Sequence, residues 1–115
     1  MRKEIILEGI KNNNHVIISE LYLSYKNEFI GFALRKYHLE TSYCKEIYQE
    51  AFTEFYRKVI SGELEEIKYT IKTYIFTIGK NIIFNEFKRQ KRNNNIENSD
   101  HVSYESEKVY ESEKL

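Results

Sequence analysis

The chain has 115 residues, with no proline, no tryptophan, only four glycines and a formal net charge of zero. That length holds one compact domain able to bury roughly two-thirds of its unfolded surface, and it leaves no room for a second full domain. The missing proline and the abundance of Glu, Lys, Ile and Leu favour long helices over strands and tight turns, so the expected fold class is all-α, a compact bundle of three main helices plus a short N-terminal one.

The opening segment MRKEIILEGIKNNN meets Glu4 and Glu8 early and lacks the uninterrupted apolar core of a signal peptide, which points to the cytoplasm. Residues Arg2 to Ile10 suit a short helix stopped by Asn12 to Asn14. From about Val16 to Tyr37, apolar residues recur at Ile18, Leu21, Tyr22, Tyr25, Phe29, Phe32, Ala33 and Tyr37, the three-and-four spacing of a helix with one buried stripe. The segment HLETS breaks it, and Thr41 or Ser42 suits the cap of the next helix. That third helix runs from about Tyr43 to Ile60, with Ile47, Ala51, Phe52, Phe55, Tyr56 and Val59 on its inner side. Ser61-Gly62 ends it, because glycine accepts the left-handed conformation that closes a helix. The segment GELEEIKYT then reads as a loop with room for one helical turn, and a last helix spans about Ile71 to Lys91. Its stripe passes through Ile71, Tyr74, Ile75, Ile78, Ile82 and Phe87, widened by Phe76, Ile83 and Phe84. Residues 93–115 are acidic and rich in Ser and Asn, the composition of a linker or tail outside the 1–92 domain.

The zero net charge hides a segregation. Glu40 to Ile67 carries three basic residues against seven acids, whereas Lys68 to Arg92 carries seven basic residues against Glu86 alone. A basic block confined to one helix is the local footprint of a polyanion binder. No apolar stretch approaches the ~20 residues that span a bilayer, so no membrane insertion is expected. Cys44 stands alone, which excludes an internal disulfide and a thiolate metal cluster and reads as a half-buried residue near a helix start. His15, His38 and His101 show no ligand spacing, and no phosphate loop or nucleophilic constellation occurs. The expectation is a non-enzymatic protein with no metal and no cofactor.

Two motifs carry the functional reading. In KEIYQEAFTEFYRKV, a turn of about 100° per residue places Glu46, Gln49, Glu50, Thr53 and Arg57 along one exposed strip, with Glu54 beside them. On spacing alone this strip is a solvated face. In KTYIFTIGKNIIFNEFKRQKR, aromatics interleave with Lys and Asn, a composition that suits single-stranded DNA: rings stack on bases while cations neutralise phosphates. For Tyr74, Ile75 and Ile78 the plainer reading is core, and for Lys80, Asn81, Lys88, Arg89, Lys91 and Arg92 a soluble face. Four cations within five positions nevertheless repel one another unless an anion meets them.

Together these motifs resemble the second region of sigma-70 family RNA polymerase sigma factors, especially the extracytoplasmic-function type. The segment EIYQEAF stands where that family carries D-[IV]-[VT]-Q-E-[AVT]-F, with Glu46 for the usual Asp and Tyr48 a departure from a small residue. The later helix is similar to W-L-Y-R-I-A-x-N-x-x-x-[DN]-x-x-R-[RK], with Tyr74 at the Trp position, Thr77 replacing the common Arg, and Asn81 and Asn85 at the polar positions. The resemblance covers roughly Ser19 to Arg92 and does not extend to the helix-turn-helix domain that reads the −35 element in such factors.

The resemblance implies a sigma region 2 fold and a role in transcription initiation. It implies docking on the β′ clamp helices of core RNA polymerase through Glu46, Gln49, Glu50, Thr53, Glu54 and Arg57. It further implies capture of the melted non-template strand of the promoter −10 element, with Asn81 at the base-contacting position and an anti-sigma factor as a further partner; the candidate DNA-binding residues are Lys72, Tyr74, Lys80, Asn81, Lys88, Arg89, Lys91 and Arg92, and in the Ser61–Thr70 loop, where the family's sequence is variable, Lys68 and Tyr69. The rival is a helical protein-interaction module, adaptor-like or antitoxin-like, whose basic helix only balances its acidic face. A helix-turn-helix that reads duplex DNA is disfavoured, because no short Gly-containing turn precedes the basic helix.

Overall fold

The computed structural model describes residues 2–64 and 67–94, the last two as backbone only. Most of the described residues are helical, with no strand among them. In chain order the helices are α1 (Lys3–Lys11), α2 (His15–Tyr37), α3 (Thr41–Ser61) and α4 (Ile71–Asn94). Contacts divide the chain into two units, Met1–Ile78 and Gly79–Leu115. The 93–115 tail read from the sequence lies outside the described residues, apart from the helical backbone of its first two positions.

The Asn run does two jobs at the α1–α2 corner. Asn13 takes the left-handed conformation at φ 58°, while the Asn14 side chain accepts hydrogen bonds from Val16 N at 3.1 Å and Ile17 N at 3.3 Å. Asparagine tolerates the first geometry and caps the second. The corner is tight because Gly9 lacks a side chain: a Cβ there would meet Ile17 Cδ1 at 2.5 Å.

The cap expected at Thr41 or Ser42 is not formed. His38 turns left-handed at φ 56°, so α3 starts earlier, with Glu40 at the N-cap position and no side-chain capping bond. Thr41 and Ser42 sit exposed inside the first turn. At the other end Gly62 closes α3 at φ 86°, as its sequence position implies, and Leu64 N bonds Lys58 O at 3.1 Å. The described part of the following loop contains no helical turn. Thr70 supplies a cap that the sequence reading omitted, its Oγ1 accepting from Thr73 N at 3.0 Å.

Within the first unit, α1 packs on α2 and α3, and α2 packs on α3. Phe29, Tyr48, Phe55, Ile10, Ile47, Ile75, Val59 and Cys44 are fully buried, and each large side chain among them contributes roughly 1.5–3 kcal/mol of burial. Rings interlock across the elements: Phe29 meets Phe76 edge-on at 5.1 Å, Tyr22 meets Phe52 likewise at 5.1 Å, and Phe55 lies 6.3 Å from Tyr74. Two corrections follow. Cys44 is buried rather than half-buried, because its position one turn before Tyr48 places it on the inner stripe. In the second unit, Ile83 is fully buried whereas Ile82, placed on the stripe by its spacing, is half-buried.

Candidate docking and nucleic-acid surfaces

The first candidate surface is the outer face of α3. Glu46, Gln49, Glu50, Thr53 and Arg57 are exposed, and Ile47, Ala51 and Phe55 on the opposite side are buried. Glu54 is half-exposed and lies 3.9 Å from Arg57, an ion pair too open to water to contribute much. The face therefore presents carboxylates and an amide that the fold does not consume. Tyr48, inside the same motif, points the other way: it is buried, and its hydroxyl donates to Tyr22 O at 2.6 Å. Burial pushes the Tyr48 phenol up, with Tyr22 and Tyr25 adding to the effect. The sequence reading treated Tyr48 only as a departure from the motif. The signal that places it inside is the stripe Cys44, Tyr48, Phe52, Phe55, Val59.

The loop and the start of α4 in the first unit carry four of the candidate nucleic-acid residues. Lys68 and Tyr69 are exposed, Tyr69 at 63%. Lys72 is half-buried, ion-paired with Glu28 across α4 and α2, and its ammonium lies 5.6 Å from the Phe76 ring centre. Tyr74 is half-buried against Phe55. Lys72 and Tyr74 are thus partly engaged by the fold, whereas Lys68 and Tyr69 face solvent.

The second unit carries the remaining residues on α4. Lys80 and Asn81 are half-buried, and Lys91 and Arg92 are exposed. Lys88 lies over the Phe84 ring at 5.3 Å. Arg89 forks onto Glu86, Nε to Oε1 at 3.2 Å and Nη2 to Oε2 at 2.5 Å, and Gln90 Nε2 adds a bond to Oε2 at 3.2 Å. The Arg89 hydrogen bond holds the Glu86 carboxyl below the usual glutamate range. The single acid of the basic block thereby offsets one of its cations, which the sequence reading did not anticipate.

Other chemistry is sparse. Burial raises the Cys44 thiol above its usual range, which keeps it in the unreactive protonated form. Among the described residues no group of His, Cys, Asp and Glu is arranged to hold a metal ion, and no helix is long and apolar enough to cross a membrane. Comparison with known proteins returns no matching family model, no matching curated protein and no matching solved structure.

Proposed function

We propose that this chain is a promoter-opening module of the sigma type, acting in the cytoplasm during transcription initiation. It docks on the clamp helices of core RNA polymerase through α3, and it captures the unpaired non-template strand of the −10 element with the Lys68–Tyr69 loop and α4. The observation that carries the reading is how the motif EIYQEAF divides between two faces of one helix. Glu46, Gln49 and Glu50 point outward, while Ile47, Tyr48, Ala51 and Phe52 are buried. A docking motif needs its polar groups accessible and its apolar groups invested in rigidity. The tyrosine that departs from the family pattern is absorbed inside, so it leaves the outward residues unaltered.

On this reading the carboxylates steer the helix onto a basic coiled-coil surface and fix its register. Tyr69 stacks on an exposed base and Lys68 meets a phosphate. Asn81 offers donors and an acceptor to a base edge, and Lys91 and Arg92 neutralise backbone charge. An anti-sigma partner acts by covering one of these surfaces. The chain itself supplies no catalytic group; polymerase performs the chemistry. Retention of core RNA polymerase on the immobilised chain tests the reading, and its absence at moderate salt overturns it.

One observation favours the rival, a helical interaction module. Lys72 and Arg89 are each met by a carboxylate of the same chain, Glu28 and Glu86. If internal balance were the whole role of the basic residues, single-stranded and duplex oligonucleotides would bind equally weakly. A clear preference for single strands excludes that reading.

A further inference from the structure

The resemblance that supports the proposed function starts at Ser19 and leaves α1 without a role. The structure assigns one. Lys3, the first residue of α1, reaches the loop between α3 and α4, its ammonium donating to the carbonyl of Ile67 at 3.0 Å and to the carbonyl of Tyr69 at 3.3 Å. These carbonyls flank Lys68. Both ends of the link are firmly seated: Ile6, Leu7 and Ile10 bury α1, and Leu64 and Ile67 bury the base of the loop. The loop closes at Thr70, whose side chain caps α4. Lys68 and Tyr69 are left exposed on a segment held from both sides.

We propose that Lys3 is a positioning residue for oligonucleotide binding. It fixes the main chain around Lys68 so that the Tyr69 ring meets an unpaired nucleotide already set for stacking. This rests on the proposed function and adds to it a residue outside the resembling segment. The physical basis is preorganisation: a loop ordered before binding does not lose its freedom at the moment of binding. One ammonium suits the task because its three donors serve two carbonyls at once, and charged donors bond more strongly than neutral ones.

The chain contains no tryptophan, so Tyr69→Trp introduces a single reporter in the loop. Placing Lys3→Met beside it keeps the alkyl stem and removes the ammonium. The expected result is lower anisotropy and stronger acrylamide quenching of the residue 69 reporter, with unchanged far-ultraviolet circular dichroism. In the full chain with tyrosine restored, and with core RNA polymerase present, Lys3→Met and Tyr69→Ala should each weaken binding of a single-stranded −10-like oligonucleotide about tenfold, the worth of one lost stack. The double variant should be no weaker than Tyr69→Ala alone, because the tether acts through that ring. An unchanged reporter overturns the proposal. So do losses that multiply in the double variant, since a direct phosphate contact by Lys3 is independent of Tyr69. If the parent chain binds no oligonucleotide, the proposed function fails and this inference with it; if the parent binds and Lys3→Met binds equally, only the inference fails.

Discussion

The hydroxyl of Tyr48 donates a 2.6 Å hydrogen bond to the main-chain carbonyl of Tyr22, joining α3 to α2 directly behind the exposed carboxylates Glu46 and Glu50. The bond is what allows a phenol to occupy an otherwise apolar interior. It also ties the outer strip of α3 to the core, because the helix cannot tilt there without breaking it.

Tyr48→Phe removes that bond and little else. It should destabilise the chain by about 1 kcal/mol, the typical net worth of one hydrogen bond. Urea unfolding followed by circular dichroism should give a lower midpoint with an unchanged slope. Tyr48→Ala should cost roughly 3–5 kcal/mol, since it also opens a cavity among Tyr22, Phe29 and Phe52.

Glu50→Lys tests docking without touching the core, because Glu50 is exposed. Reversing its charge should weaken binding to core RNA polymerase by about 2–5 kcal/mol, through lost attraction and new repulsion. Helical content should stay the same. A folded variant that binds as tightly as the parent in a titration by anisotropy removes the docking face from consideration.

Asn81 and Lys91 separate base reading from phosphate contact. Asn81→Ala should leave the salt dependence of oligonucleotide binding unaltered and relax preference at one base, costing about 1–3 kcal/mol on the preferred sequence. Lys91→Ala should weaken all sequences alike and reduce the slope of log affinity against log salt by about 0.7. A panel of single-stranded −10-like oligonucleotides measured over a salt series distinguishes the two. A uniform loss across the panel for Asn81→Ala makes Asn81 structural.

The Glu86–Arg89 fork gives α4 a defined response to acid. The folded-state value of Glu86 is depressed, so its contribution is fully present above the ordinary glutamate value of about 4.3 and is lost as pH falls through the lower folded value. A carboxyl carbon titration by NMR should place Glu86 below a free glutamate. In Arg89→Gln the value should rise toward the ordinary one; a Glu86 titration unmoved by that change would show that Arg89 is not the cause.

Much of the fold was legible because the signals are local. The stripe from Leu21 to Tyr37 and the stripe from Ile47 to Val59 each recur within four residues, so periodicity alone places both helices and their inner faces. Gly62 closing α3 and the Asn run stopping α1 were readable for the same reason: each acts on its own backbone. The outward placement of Glu46, Gln49, Glu50, Thr53 and Arg57 follows from the same helical geometry.

What composition and pattern determined, then, was helix existence, the buried faces and the segregation of charge. Tertiary structure decided the rest. Thr41 and Thr70 are equally good caps on paper, yet of the two only Thr70 caps a helix, because after the left-handed turn at His38 α3 already begins at Thr41, with Glu40 at the N-cap position. Lys3 and Tyr69 are 66 positions apart, and Lys72 and Glu28 are on different helices. No periodicity relates such pairs. Their meeting depends on how α1, α2 and the loop settle on a shared core, and a polar side chain that reaches a partner only after that packing leaves no trace in the spacing of its own segment.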